Sequence, residues 1–340
     1  MAEQLRFGVI GAGRIGRLHI EHLMRRIEGA TVVAVSDVVR DAAEAAAAQF
    51  GVPTVLSDAS ELINSPEIDA VVICSSTDTH ARFMIEAARA GKHIFCEKPI
   101  ALDLDAIDEA LAEVKKAGVK LQIGFNRRFD TNYRRVHERI VAGSIGDLHM
   151  VHIVSRDPAP PPIEYVKVSG GIFLDMAIHD FDMARYLVGD EPETVYAVGG
   201  VRISPEIGDA GDVDTALCTL TFRNGVYVTI DNSRRAVYGY DQRVEAFGSG
   251  GMVRIDNNYE NTAVVSTTTA VERDLPLNFF MERYIDSYIV ELHAFVDAVQ
   301  RDEPTPVDGT DGRAPIVMGY AARKSLAEGR PVRMDEIGAM

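Results

Sequence analysis

A strand-like run at residues 5–10 leads directly into Gly11-Ala12-Gly13-Arg14-Ile15-Gly16, and a helical pattern covers residues 15–28. That order constrains the chain more than any other feature. Gly11 permits a tight turn, Gly13 lets backbone approach a pyrophosphate, and Gly16 lets helix and strand pack closely. The helix start then offers unsatisfied amides and a partial positive charge to an anion. The motif assigns Gly11 through Gly16, including Ala12, Arg14 and Ile15, to a dinucleotide.

Residues 32–36, 70–75, 94–96 and 121–124 are further short apolar runs, and helical stretches at 41–50, 79–90 and 103–117 lie between them. Runs apolar throughout suit strands buried on both faces of a parallel sheet. Asp78 or Thr79 is placed to cap one helix, with Gly91 after it; Asp103 is placed to cap another, with Gly118 as its stop. Repeated strand and helix predicts an α/β fold, a Rossmann dinucleotide-binding domain over residues 1–124.

The pattern changes after residue 125. A helix at 131–141 and a strand at 148–155 precede a proline-rich loop at 157–162 and one continuous helix at 171–188. Strand-like runs follow at 194–203, 215–222, 226–232, 243–247 and 252–255, with helices at 282–300 and 313–328. The turn Arg223-Asn224-Gly225 is a hairpin signal. Strands grouped apart from helices predict a C-terminal α+β domain, residues 125–340, with a large, mainly antiparallel open sheet.

Asp37 closes the second strand about twenty residues beyond the last glycine, where a carboxylate accepts from adenosine ribose hydroxyls. A 2′-phosphate there meets like charge, which favours NAD. Arg40, three residues on, is the one group able to answer a phosphate and keeps NADP open. Ser75, Ser76, Thr77 and His80 follow a strand end, where small hydroxyl residues either line a cofactor's path or cap a helix.

Lys98, in Glu97-Lys98-Pro99, sits at the carboxyl end of an apolar strand, where ligands bind in such sheets. A lysine there steadies a developing alkoxide, holds a hydroxyl or passes a proton; alternatively it pairs with an acid. In the 171–188 helix, Asp175, His179, Asp182 and Tyr186 recur at steps of four, three and four and share one face. Such a stripe is either satisfied internally or turned to a cleft. Removing hydride from an alcohol requires a base for its proton, and histidine titrates in the right range. With no second histidine and no cysteine near Asp175 and His179, a metal is not expected there.

The net charge of -16 disfavours nucleic acid and anionic membrane as partners. Cys74, Cys96 and Cys218 lie far apart without paired spacing, as structural thiols do in a reducing cytosol. With a strand starting at residue 5 and no long apolar stretch, the expected location is cytoplasmic.

On these residues the chain resembles the Gfo/Idh/MocA oxidoreductase family over essentially its whole length. The glycine loop, Glu97-Lys98-Pro99 and the Asp175/His179 helix carry the family likeness. Gly124-Phe125-Asn126-Arg127-Arg128-Phe129-Asp130, Gly170 to Met176 and Asp231 to Gln242 place it nearest the inositol-oxidising branch. The resemblance implies NAD-dependent oxidation of myo-inositol to its 2-keto form (scyllo-inosose), with Lys98, Asp175 and His179 as catalytic trio and His179 as base. It adds Glu97 and Lys98 to the cofactor residues. It assigns Lys98, Arg127, Asp157, Asp175, His179 and one of Tyr238 or Tyr240, with Tyr238 taken first, to the polyol. It also implies a homotetramer joined through open sheet faces. The rival expectations are oxidation of scyllo- or chiro-inositol or glucose, glycoside cleavage through transient oxidation by retained NAD, and an NAD-responsive regulator.

Overall fold

The computed structural model describes residues 4–340, which form two compact units. The first holds the residues up to Asn126 together with Asp286–Arg313; the second holds Arg127–Ile285 and Ala314–Met340. The 125–340 stretch is therefore not one continuous domain.

In the first unit β1 (Leu5–Ile10), β2 (Ala30–Ser36), β3 (Thr54–Leu56), β4 (Ala70–Ile73), β5 (His93–Glu97) and β6 (Leu121–Gly124) pair in the order β3-β2-β1-β4-β5-β6. Every pairing is parallel. Helices α1 (Arg14–Arg25), α2 (Arg40–Phe50), α3 (Ala59–Ile63), α4 (Thr77–Arg89) and α5 (Leu104–Ala117) make the crossovers. Chain order reverses between β1 and β4, the point where ligands bind in doubly wound sheets.

Local chemistry sets the helix ends. Asp103 caps α5 by accepting from the Ala106 amide, and Gly118 ends it in the left-handed region. At α4 the structure differs from expectation: the helix begins at Thr77 with Ser76 at the cap position, and neither Asp78 nor Thr79 caps it. The strand β3 and helix α3 were not expected, because three residues and five carry too little periodicity. Asp58 caps α3 by accepting from the Ser60 amide.

In the second unit α6 (Thr131–Val141) is capped by Asp130, whose carboxylate accepts from the Asn132 and Tyr133 amides. It leads to β7 (Leu148–Arg156), the short α7 (Ile163–Val166) after the prolines, and a five-residue π-helical turn, Ile172–Met176. Then come α8 (Ile178–Val188), β8 (Pro192–Gly200), α9 (Pro205–Asp209), β9 (Thr215–Phe222), β10 (Tyr227–Ser233), β11 (Asp241–Gly248) and β12 (Gly251–Ile255). A small hairpin, β13 (Val264–Ser266) with β14 (Val271–Arg273), precedes α10 (Phe280–Gln300), α11 (Gly309–Glu328) and β15 (Val332–Arg333). The seven-stranded sheet runs β12-β11-β7-β10-β9-β8-β15 and is antiparallel except where β10 meets β7. The Arg223-Asn224-Gly225 turn joins β9 to β10 as expected, with Gly225 at φ +86°.

The expected continuous helix at 171–188 is broken. The π turn changes the register before α8 begins, so α-helical spacing no longer places Asp175 on one face with the later polar residues. The return of α10 to the first unit has a packing cause: Leu292, Phe295 and Val296 are buried in one core with Phe7, Val9, Val72 and Phe95. Burying such side chains contributes roughly 1.5–3 kcal/mol each. Among the described residues, no helix is long and apolar enough to cross a membrane.

Candidate active site

The glycine loop has the shape a pyrophosphate needs. Gly11 sits at φ +100°, and a Cβ there would lie 2.5 Å from the Cys74 carbonyl oxygen. A Cβ on Gly16 would lie 1.9 Å from the Gly11 oxygen. Gly13 is the opposite case: it is exposed, and a Cβ there would meet nothing within 4 Å. No side chain caps α1 and no acid occupies its first turn, so its amides remain available to an anion.

Asp37 stands beside this loop. One carboxylate oxygen accepts from the Ala12 amide at 2.6 Å and the other from the Val39 amide at 2.8 Å. Arg40 turns to Glu44, its Nε donating at 2.7 Å. A carboxylate with spare lone pairs, and no phosphate-binding cation aimed beside it, fits a ribose diol.

The Ser75 hydroxyl bonds that of Thr79 at 2.7 Å. His80 does not face a ligand. It is 2% exposed, and its two ring nitrogens lie 2.8 Å from the Pro99 carbonyl and 2.9 Å from that of Ser75. This correction has a simple cause: the fourth residue of a helix starting at Thr77 turns back under the sheet. His80 ties the Ser75 loop to the Lys98-Pro99 loop. Glu97 reaches inward to His19, and Lys98 is half-buried at the end of β5.

The second unit assembles a dense polar array. Asp175, just before α8, accepts from the Tyr165 hydroxyl at 2.8 Å and from Arg234 at 3.4 Å. Arg234 is 1% exposed, and its other terminal nitrogen lies 3.6 Å from Asp212. His179 lies one turn on, half-buried. Burial pushes the Asp157 carboxyl up to about 6, with Arg234 and Arg127 opposing and Asp175 and Asp180 adding to the effect.

Arg127 is deeply buried. It donates to Asp180 at 2.7 Å, bonds the Tyr240 hydroxyl at 3.4 Å, and faces the Tyr284 ring. Asp180 also accepts from Asn232 at 2.7 Å. Arg127 therefore supports the array from behind. Of the two tyrosines, Tyr240 belongs to this network. The Tyr238 hydroxyl instead donates to Asp241 at 2.6 Å and bonds Arg156 at 3.2 Å. Tyr240 thus shares the Arg127 network and Tyr238 does not; Gly239, at φ +127°, turns the chain between them.

Asp182 and Tyr186, the rest of the helix stripe, are spoken for. Arg128 donates to Asp182 at 2.6 Å and lies over the Tyr186 ring, which stacks on His137. Sequence reasoning missed Tyr165, Asp180 and Arg234. For Arg234 a signal was available: an arginine immediately after a strand, the first of the pair Arg234-Arg235, where a buried cation needs an acid.

The family comparison fits these features. The pattern described as "Oxidoreductase family, NAD-binding Rossmann fold" matches residues 5–125, and the GFO/IDH/MocA C-terminal domain matches residues 133–254. The chain belongs to the GFO/IDH/MocA oxidoreductase family. As in that family, its first unit is an NAD-binding Rossmann domain. It is similar to the myo-inositol 2-dehydrogenase of Thermotoga maritima, 51% identical over 98% of this chain and 99% of that one. It is 45% identical to the inositol 2-dehydrogenase of Rhizobium meliloti over 96% of this chain and 98% of the other. Among solved structures it resembles the myo-inositol dehydrogenase of Lactobacillus casei in complex with NAD(H) and myo-inositol. That likeness has a TM-score of 0.87 at 28% identity, covering 97% of this chain and 96% of that one. The GFO/IDH/MocA fold thus accounts for both units, and this member is an NAD-dependent oxidoreductase.

Proposed function

We propose that this chain oxidises myo-inositol to 2-keto-myo-inositol, with NAD as hydride acceptor. The near-full-length likeness to the Thermotoga maritima myo-inositol 2-dehydrogenase carries the choice of substrate. The polar array of the second unit supports it, since a ring with a hydroxyl on every carbon needs many donors and acceptors.

NAD, when bound, supplies the hydride acceptor. The loop from Gly11 to Gly16 holds its pyrophosphate, Asp37 its adenosine ribose, and Ser75, Ser76, Thr77 and Glu97 the remainder. His179 takes the proton of the reacting hydroxyl, Asp175 orients that hydroxyl and favours the imidazolium, and Lys98 steadies the developing alkoxide. Asp157 and Tyr240 bind further ring hydroxyls, with Arg127 as their support. The protein works in the cytoplasm in inositol catabolism, consistent with three free cysteines, two of them buried. It does so as a homotetramer joined through the exposed face of the seven-stranded sheet.

The test mixes purified enzyme and NAD with myo-, scyllo- and chiro-inositol and glucose, following reduced-nicotinamide absorbance. Myo-inositol gives the largest kcat/KM. Reduction by another polyol alone would replace the substrate; no reduction with any of them would overturn the dehydrogenase reading.

A further inference from the structure

Behind β5 the first unit encloses a group of acids and histidine of which the chemistry above uses only Glu97. Glu97 Oε1 lies 2.6 Å from His19 Nε2, and one ligand-type atom from each of His19, Glu97 and Glu291 lies within 4.8 Å of the others. His19 and Glu291 are fully buried. Neither carboxyl oxygen of Glu291 has a hydrogen-bond partner, and neither does the side-chain oxygen of buried Gln122. The Gln122 amide nitrogen meanwhile donates to the Glu291 backbone carbonyl at 2.7 Å. Phe95 and Tyr288 present ring edges to His19. Opposite Glu97 on β6 stands Gly124, where a Cβ would press within 3.0 Å of the Glu97 carboxyl.

We propose that Glu291, together with His19, is a positioning residue that fixes the Glu97 carboxylate from the buried side of the sheet and thereby sets how the adjacent Lys98 leaves β5. The proposal rests on the assignment of Lys98 to the reaction. Two carboxylates this close and this buried do not both ionise. Glu97 already has His19, so Glu291 holds the proton; burial, then the charge of Glu97, push its carboxyl well above the usual range. A neutral carboxylic acid has one O–H to donate, and the Glu97 carboxylate, with an oxygen within 4.8 Å, is the acceptor that a small rotation of Glu291 reaches. Glu97 is left as an anion held on two sides, with Gly124 leaving the room it occupies. Lys98 is the next residue, so rotation of Glu97 displaces it.

A divalent cation among the three side chains is the competing arrangement. The 2.6 Å approach of His19 to Glu97 argues against it, being a hydrogen-bond length. Two ligands of one ion stand farther apart.

The experiment compares Glu291→Gln, Glu291→Leu and Gly124→Ala in the full-length enzyme with NAD and myo-inositol. Glutamine imitates a neutral acid, so Glu291→Gln keeps kcat close to wild type. Glu291→Leu keeps volume but loses the donor, and Gly124→Ala crowds Glu97; each lowers kcat by about tenfold, as small displacements of reacting groups do, with the myo-inositol KM little changed. Glu291→Gln and Gly124→Ala decide the matter if the leucine variant does not fold. Wild-type kcat in Gly124→Ala or Glu291→Leu would overturn the proposal, as would a glutamine variant as slow as the leucine one. So would a stoichiometric metal in the purified protein. Lys98→Met separates the two levels: if it retains turnover, the assignment of Lys98 itself falls. If it is inactive while the other variants run normally, only the positioning role falls.

Discussion

The Ala12 backbone amide donates to the Asp37 carboxylate at 2.6 Å, joining the glycine loop to the end of β2. One side chain therefore shapes the glycine loop and, in the role proposed for it, presents negative charge to the adenosine ribose. Replacing Asp37 with Ser removes the charge and leaves Arg40, whose exposed pair with Glu44 is worth at most about 1 kcal/mol, available to a 2′-phosphate. Hydrogen bonds to a charged group contribute about 1.5–3 kcal/mol, so NAD efficiency should fall roughly ten- to a hundredfold while NADP efficiency rises. Paired kcat/KM values for the two cofactors check this. Unchanged discrimination would remove Asp37 from the cofactor site.

His179→Ala isolates the proton acceptor. A positioned base contributes about 10²–10⁴-fold, so kcat should drop by that order while NAD affinity, read by fluorescence titration, stays within about twofold. Equal loss of turnover and NAD binding would make His179 a structural residue.

How much of this was legible depends on the length scale of each signal. The glycine loop, Glu97-Lys98-Pro99 and the strands 5–10 and 121–124 were readable because their constraints are local: a tight turn, a close approach, an apolar run. The π turn at Ile172–Met176 was not, since spacing of four, three and four fits an unbroken α-helix equally well. Which of Tyr238 and Tyr240 joins the Arg127 network was undecidable, because it depends on how Gly239 turns the chain. Asp180, hidden among apolar neighbours, shows its role only through Arg127, 53 residues earlier in the chain. The packing of Leu292 and Phe295 into the first unit's core is likewise a long-range fact that no local pattern carries.

The buried pair of Arg127 and Asp180 gives a stability prediction. Both side chains are almost inaccessible, at 5% and 0% exposure. Asp180→Ala strands the guanidinium and removes the partner of Asn232, so urea denaturation should show a loss of about 3–5 kcal/mol. Asp180→Asn, which keeps acceptor and volume, should lose less. A loss in Asp180→Ala below about 1 kcal/mol, the level of an exposed pair, would mean that water reaches Arg127.

Asp157 links stability to pH. Its folded carboxyl is raised from 3.8 to about 6, mainly by burial. The native state therefore holds this proton more tightly than the unfolded chain. Its stabilising contribution is fully present below about pH 4 and is lost as pH rises through about 6. Asp157→Asn cannot lose a proton, so its stability relative to wild type should rise across that window by on the order of 2–3 kcal/mol. Thermal denaturation of both proteins from pH 4 to pH 7 reads the difference, and a flat difference would show that Asp157 is well solvated.

The exposed sheet face carries the oligomer prediction. Tyr227, Met150, Phe247 and Met252 sit opposite one another across β10, β7, β11 and β12 and form one row. They are 38–53% exposed, and Leu217 and Val198 stand exposed four residues along from this row on β9 and β8. A contiguous apolar row on an open sheet favours burial against another subunit. Two copies apposed by a two-fold axis would bury the same row on both, which is how symmetric assemblies form. Placing a carboxylate in the middle of the row, as Phe247→Asp with Met150→Asp, forces desolvation of charge at the interface. Light scattering after size exclusion should then report a smaller species than the tetramer proposed for the wild type. A wild-type monomer, or a double variant of unchanged mass, would put the subunit contact elsewhere.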